Sequence, residues 1–411
     1  MMMNEKIALA EARRTTGSRR KGKKRIFVAG AIRICVVSFI ILFFPSTLFA
    51  VDVGVVLEQN AEYSNSGDDT VFAYDGIIIT RVTGLVGDKG DFYVSLGLSY
   101  MNEPWSFVPE LLQSDFNWHS GNIGFTVGRM SYDDPLGYIA SGLFDGGRVT
   151  FDSDMGSFSI GAWYTGLLYK KRVNIEMTNN EYIANNTELD YGDFVNTYFA
   201  PRRVLAAVDW EHNGLWEKVI TRLSLLSQFD LTEEKLNSQY LAGKIIIPYK
   251  VFSFNLGGCF ELIEANDKTG SGFAAEAAAA WRNPVHYISL GAKYASGESD
   301  SLTAFLPLTT NTQGNILETK LSGISMFSLD YTARLHETFS AGLYPAYFII
   351  TDSCCDEKML GGEIYAALFW SPVPDIGIIL GGGAFMPSLG NVSPDEKINW
   401  RIKLNVVLAL F

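Results

Sequence analysis

From Val51 onward, apolar and polar residues change places at every second position. Phe252, Phe254, Leu256, Phe260 and Leu262 share one parity, and Ser253, Asn255, Gly257, Cys259 and Glu261 share the other. Val204, Ala206, Val208 and Trp210 oppose Leu205, Ala207, Asp209 and Glu211. Phe327, Leu329, Tyr331, Ala333 and Leu335 oppose Ser328, Asp330, Thr332 and Arg334. A period of two marks strands with one apolar face and one wet face. The pattern predicts about eighteen strands, sixteen at the least. They fall near 53–63, 73–86, 91–101, 107–117, 121–131, 143–152, 156–168, 202–211, 218–230, 237–248, 251–263, 272–282, 286–296, 323–334, 339–350, 361–370, 376–386 and 398–411. Each is about ten residues, the length of a tilted strand crossing hydrocarbon.

The links sort by length. Those after even-numbered strands are short: Gly87–Gly90, His119–Gly121, Ser153–Gly156, Asn213–Lys218, Tyr249–Lys250, Asn283–Val285, Leu335–Thr338 and Ser371–Asp375. Several after odd strands are long: Asp133–Ala140, Lys170–Pro201, Gly297–Leu321, Asp352–Met359 and Pro387–Glu396. A soluble sandwich has no reason to segregate loops this way. A closed antiparallel transmembrane β-barrel of the outer membrane does, with short periplasmic turns and long extracellular loops. Helical spans are excluded: the longest uncharged run past the N-terminus, Ile376–Pro394, contains Gly381, Gly382, Gly383 and Pro387, poor helix material. Closure also gives every backbone N–H and C=O in lipid a partner.

The first fifty residues differ in kind. Residues 1–33 carry ten Lys/Arg and two acids, followed by the uncharged run Ile34–Phe44, Pro45 and the segment Ser46–Ala50. That is the layout of a secretory signal peptide with a long basic n-region. The apolar run falls short of the roughly 20 residues a spanning helix needs. The expected division is a signal over 1–50 and a single barrel domain over 51–411, exported to the outer membrane of a diderm bacterium. Past Ala50, 23 Lys/Arg face 43 Asp/Glu, giving about −20 against −12 for the whole chain. Such an acidic exported chain is a poor nucleic-acid binder. Three cysteines past Ala50, Cys259, Cys354 and Cys355, exclude a disulfide framework. Cys354-Cys355 reads as a vicinal disulfide, an interchain bridge or two thiols.

Tryptophans mark the strand ends. Trp118, Trp210, Trp216, Trp281 and Trp370 fall at the periplasmic side, and Trp105 and Trp400 at the outer side. Two aromatic belts are expected from this placement. The chain ends in WRIKLNVVLALF, which resembles the closing strand of outer-membrane barrels. That resemblance implies a terminal aromatic residue, here Phe411, read by the barrel-assembly machinery. Phe411 has the parity of Arg401 and Lys403 rather than of Leu404–Leu410; a bulge near Val406–Val407 would restore the usual face.

Strand phase places Arg148, Arg203, Arg222, Lys244, Lys293, Arg334, Arg401 and Lys403 in the lumen, with Asp209, Asp230, Glu261, Glu276, Asp330 and Glu363. Facing charges of both signs tune a water-filled pore; otherwise they pair and fill the interior. Eighteen strands enclose more space than side chains fill, so Lys170–Pro201 or Gly297–Leu321 is positioned to fold in and narrow the path. The expected function is passive diffusion of small hydrophilic solutes, with outer-membrane lipid as the surround and no cofactor. Gly128-Arg129 and Asp145-Gly146-Gly147-Arg148, within Gly128–Asp152, resemble a segment of the alginate-export-like porins. That family implies eighteen strands and export of an acidic polysaccharide. A substrate-specific transporter is a related alternative. A surface adhesin or receptor acting through 170–201 and 297–321 is another.

Catalysis is not expected. His119, His212, His286 and His336 all map to periplasmic turns or strand ends, and no nucleophile–base pair emerges. The paired acids Asp68-Asp69 and Asp133-Asp134 are candidates for rim calcium or for plain solvation.

Overall fold

The structure is a computed structural model that describes residues 51–411, apart from 67–68, 103–104, 216–217, 267, 300–301, 354 and 411. The expected leader, and the readings of Asp68, Trp216, Cys354 and Phe411, lie outside the described residues. Eighteen antiparallel strands make one closed sheet. In chain order they are β1 (Val51–Ser66), β2 (Asp69–Val86), β3 (Gly90–Asn102), β4 (Trp105–Ser120), β5 (Ile123–Asp133), β6 (Ser141–Ser153), β7 (Gly156–Tyr164), β8 (Arg203–Leu215), β9 (Val219–Asp230), β10 (Leu236–Tyr249), β11 (Phe252–Ala265), β12 (Lys268–Arg282) and β13 (His286–Ala295). After a hairpin of two short strands, β14 (Thr312–Gln313) and β15 (Thr319–Lys320), the ring resumes. It continues with β16 (Ile324–His336), β17 (Phe339–Ile350), β18 (Met359–Val373), β19 (Ile376–Met386) and β20 (Asn399–Leu410).

Strands β1 and β20 close the ring, in register from Val55↔Leu410 to Ser64↔Arg401. That register is unbroken, so the bulge expected near Val406–Val407 does not occur. Arg401–Leu408 is paired on both sides, with β1 and with β19, and an extra residue would leave wall backbone groups unsatisfied. The ladder instead shifts at other points, among them β4, where Gln113 pairs with Ser95 and Leu111 with Leu96. Leu112 is the extra residue. It turns the outward parity from Phe107 and Leu111 above to Phe116 and Trp118 below.

The outward face is predominantly apolar. Leu256, Leu290, Val208, Ile160, Phe327 and Leu368 are all exposed. Surface of this kind is stable against hydrocarbon, not water. Trp118, Trp210, Trp281 and Trp370 lie near the short-turn end, and Trp105 and Trp400 near the other. Trp163 points inward, with its ring 4.5 Å from that of Tyr132. Gln59 is a polar residue on the outer parity; its Oε1 accepts the hydroxyls of Tyr74, at 2.5 Å, and Tyr100.

The core sits inside the ring. Among the described residues, three links fold inward: 134–140, 165–202 and 296–323 apart from 300–301. The second carries α1 (Lys170–Val173), α2 (Asn179–Asn186) and α3 (Phe194–Tyr198). Helix α2 starts on a capping box, with Thr178 accepting from the Glu181 N–H and the Glu181 carboxylate accepting from the Thr178 N–H. A helix this short persists because it is packed. Leu136, Ile139, Leu168, Ile175, Phe305 and Leu308 bury themselves against the inward side chains Phe144, Leu205, Leu226, Tyr240 and Ile263. These wall residues belong to β6 and β8–β11, so the plug leans on one side of the ring.

Candidate functional site: the charged lumen

The segment 296–323 acts as a strap across the lumen. Near its start, Leu306 donates its N–H to Glu261 Oε2 at 2.7 Å and accepts the Tyr240 hydroxyl at 2.7 Å. An isolated bridge joins Thr309 to Ile175, tying the strap to the 165–202 segment. Lys293 Nζ donates to Gln313 Oε1 at 2.8 Å. The tip then lands on Glu363, whose carboxylate accepts the N–H groups of Asn315, Ile316 and Leu317 at 2.7, 3.1 and 3.1 Å. Gly314 enters this landing at φ 84°, and a Cβ there would stand 2.8 Å from the Phe348 ring. Only glycine takes that turn without strain. Last, Glu318 reaches Arg401 of β20, with Nη2 to Oε2 at 3.0 Å.

Fourteen residues were placed in the lumen by phase, and they divide by what covers them. Arg203 is fully buried, between Glu181 of α2 at 2.7 Å and Asp230 at 3.4 Å. It also donates to Gln228 and to the Leu236 carbonyl. Arg203, Asp230, Glu261 and Glu363 are therefore anchors that hold the plug to the wall. Asp209 accepts from Tyr132 at 3.2 Å and Ser159 at 3.3 Å; Arg148 lies on the neighbouring inward positions of β6. Lys244, Glu276, Lys293 and Asp330 are brought together around a cavity of about 260 Å³, roofed by Gly314 and Asn315 of the strap. Lys244 and Glu276 are paired at 2.8 Å. Arg222 pairs with Glu211 at 3.0 Å. Arg334 is exposed near the short turns. On β20, Arg401 sits 3.0 Å from Glu62 of β1, and Lys403 is exposed to the lumen one turn of the pleat below.

Several functional groups were not among the fourteen, although Glu58, Glu62 and Glu110 have the inward phase of their strands. Glu62 and Glu58 complete the charged wall at the β1–β20 closure, where Asn405 donates to Glu58 at 2.9 Å and to Asn60 at 2.8 Å. Glu110 of β4 receives Arg172 of α1 at 3.0 Å and the Ser99 hydroxyl at 2.7 Å. Glu318 carries no strand signal, because it lies in the strap. The Gly128-Arg129 and Asp145-Gly146 pairs do have a sequence signature, and they meet: Arg129 and Asp145 form a two-pronged bridge with both contacts at 2.8 Å. They lie on the outward parity of β5 and β6, so this part of the motif builds wall rather than pore.

Asp134, a candidate for rim calcium or plain solvation, is buried and capped by its own loop. Both Asp134 oxygens are used by its own loop, accepting the N–H groups of Leu136, Gly137, Ile139 and Ala140 at 2.8–3.0 Å. Burial pushes the Asp134 pKa up, and these four donors oppose that rise. Burial also lowers Lys170, whose Nζ donates to the carbonyls of Ala184 and Thr187. Tyr198 is pushed up to about 12 by burial, with Glu110 adding to it. Among the described residues, no group of three or more His, Cys, Asp or Glu gathers as a metal site.

Fold and site define a closed eighteen-stranded barrel, apolar outside and charged within, partly filled by its own loops. No family model matches the sequence, and no curated protein matches it. Solved structures do share the fold. Pseudomonas aeruginosa OccK2 (OpdF) superposes with a TM-score of 0.61 at 11% identity, over 88% of this chain and 97% of that one. The outer membrane protein OpdK of Pseudomonas aeruginosa gives 0.59 at 12% identity, over 87% and 98%. Acinetobacter baumannii OccAB1 gives 0.59 at 10% identity, over 88% and 97%. OccK2 has also been solved in complex with glucuronate, and OpdK with vanillate.

Proposed function

We propose that the chain is an outer-membrane channel for small hydrophilic solutes, exported by the leader in residues 1–50 and inserted through its closing strand. The observation that carries this reading is the contrast between the two faces of one wall. The outer face offers lipid a predominantly apolar surface, with Gln59 and the Arg129–Asp145 bridge as polar exceptions. The inner face keeps charges in contact with water, among them Arg222, Arg334, Lys403 and Glu318. Water and solute follow the charged side of the lumen, past facing groups that set a transverse field.

The strap favours a selective channel over a wide diffusion pore. It crosses the lumen on four sets of polar contacts, so a solute must pass beside it. Glucuronate and vanillate, bound by two proteins of this fold, are small acids, and Lys403 and Lys293 offer charge of the right sign for such solutes. The 170–201 and 297–321 segments are packed inside the ring, which supports a lumen role for them over a surface-binding one.

The test is single-channel recording of refolded residues 51–411 in a planar bilayer under a KCl gradient. Stable current steps are expected, and the sign of the reversal potential identifies the charge lining the narrowest part. A folded, heat-modifiable barrel that passes no current overturns the channel reading.

A further inference from the structure

The ladder between β4 and β5 stops partway up the wall. It runs from Ser120↔Ile123 to Ser114↔Arg129, although β4 continues to Trp105 and β5 to Asp133. Above Arg129 the β5–β6 hairpin turns into the lumen, where Met130, Tyr132 and Phe144 join the plug core. Gly128 permits the turn: its φ is 124°, and a Cβ there would lie 2.0 Å from the Ser114 carbonyl oxygen. The edge of β4 left behind meets side chains instead of a strand. The Tyr191 hydroxyl accepts the Phe107 N–H at 2.9 Å and donates to the Phe107 carbonyl at 2.7 Å. The Tyr198 hydroxyl donates to the Pro109 carbonyl at 2.9 Å. Pro109 has no N–H to satisfy. Arg129 donates to the Leu111 carbonyl.

Aromatic side chains flank this seam on both sides, with the Glu110–Arg172 bridge as the charged neighbour on the inner side. On the outward parity of β4, Trp105 and Phe107 are 70% and 54% exposed, and Val195 of α3 is 68% exposed. Inside it, Val108 packs with Tyr169, Tyr198, Phe194 and Phe199. The Phe194 and Tyr198 rings stack at 4.5 Å, and Tyr169 lies 4.9 Å from Tyr198. A backbone ladder in lipid resists opening, since each broken bond strands two groups. This seam is held by two phenol hydroxyls and one guanidinium in place of a backbone ladder, and only the Tyr191 ring stands exposed, since Arg129 is pinned to Asp145 and Tyr198 is packed.

We propose that the β4–β5 gap is a lateral opening through which small aromatic compounds pass between lumen and membrane, latched by Tyr191 and Tyr198. It rests on the reading of the barrel as membrane-spanning. Hydrophilic solutes gain nothing on this route, because its lining is aromatic. An aromatic solute finds ring faces on both sides of the latch.

The test places spin labels at Trp105→Cys on β4 and Val195→Cys on α3, the two elements that meet at the seam, with Cys259, Cys354 and Cys355 changed to Ser. Electron-resonance distances are measured in lipid vesicles, with 2-naphthol as the aromatic probe. One distance is expected without probe, and a second, longer population with it. Adding Tyr191→Phe and Tyr198→Phe is expected to populate the longer distance without probe. A single unchanged distance in every case makes the seam a permanent wall and overturns the proposal. In planar bilayers, 2-naphthol dissolved in the lipid is expected to block the current. Bridging the two cysteines with a bis-maleimide should raise the blocking concentration about tenfold while leaving open conductance intact. Block that survives the bridge assigns entry to the barrel mouth and overturns the lateral route. Loss of all current in the unlabelled protein would count against the channel reading instead.

Discussion

Arg401 Nη2 lies 3.0 Å from Glu318 Oε2, so the strap is tied to the last strand of the ring. The same guanidinium is 3.0 Å from Glu62 of the first strand. Half of this contact stands in water, since the Glu318 side chain is 46% exposed. Its worth to the fold is therefore about 1 kcal/mol or less. Its worth to the pore is larger, because it fixes where the strap sits. Glu318→Gln is expected to leave the barrel folded and to add flicker to single-channel steps. The flicker should already appear in the unchanged protein as KCl rises toward 1 M, where screening shortens to roughly 3 Å. Steps that are equally quiet in both proteins would remove this role.

Glu363 is a firmer anchor. Its buried carboxylate satisfies three backbone donors at the strap tip. Glu363→Ala strands those N–H groups at about 1–3 kcal/mol each, more than the tip can bear in place. The expected result is a released strap and a larger conductance, with the barrel's heat-modifiability unchanged. Glu363→Gln, which keeps one acceptor oxygen, should fall between the two.

Arg203 carries the opposite risk. Removing it leaves Glu181 and Asp230 buried without their cation. Breaking a buried pair in this way costs about 3–5 kcal/mol. Arg203→Met is expected to dislodge α2 from β8 and β9. Limited proteolysis at the Asn179–Asn186 segment measures this, and protection equal to wild type counts against the anchor role.

The plug core can be weakened without touching a charge. Leu308 is fully buried between strap and wall, and Leu308→Ala should cost about 2–5 kcal/mol. The cost falls on the plug, because the eighteen-strand ladder does not include Leu308. Expected are higher conductance and faster hydrogen exchange at 296–323, with strand protection retained. Equal loss of protection in strands and strap would mean that plug and ring unfold as one.

On the proposed channel reading, the lumen charges are expected to set selectivity. Lys403 is exposed to the lumen and Arg222 is half in water. Lys403→Glu is expected to move the KCl reversal potential toward cation preference, and more than Arg222→Glu does, because Arg222 is already answered by Glu211. A shift of the same size at both positions would place the narrowest part away from β20.

The strands were legible because one physical demand repeats along each of them. Phe252–Ala265 must show lipid one face and water or plug the other, and alternation records that demand directly. What alternation cannot record is who stands on the inner side. Glu261 and Lys403 have the same inward phase, yet one is buried under Leu306 and the other faces water. The difference lies in the strap, which has no period of its own. The same limit hid Glu318, the helices of 165–202 and the self-capping of Asp134. On β4 the inserted Leu112 changes phase in mid-strand, so a single parity for 107–117 could not describe both halves. Arg129 and Asp145 were visible as a motif, but their outward bridge depends on the hairpin leaving the wall.

The anchors of the strap also impose an order on assembly. The strap is made before β16–β20, but its landing sites are Glu363 on β18 and Arg401 on β20. A chain whose ring is still incomplete has nowhere to put the tip of its own plug. On the channel reading, the ring would therefore pass through a wide-open stage during insertion, and narrowing would wait until the final hairpins are in place. On that reading, any delay in docking β20 against β1 would prolong a leak in the membrane.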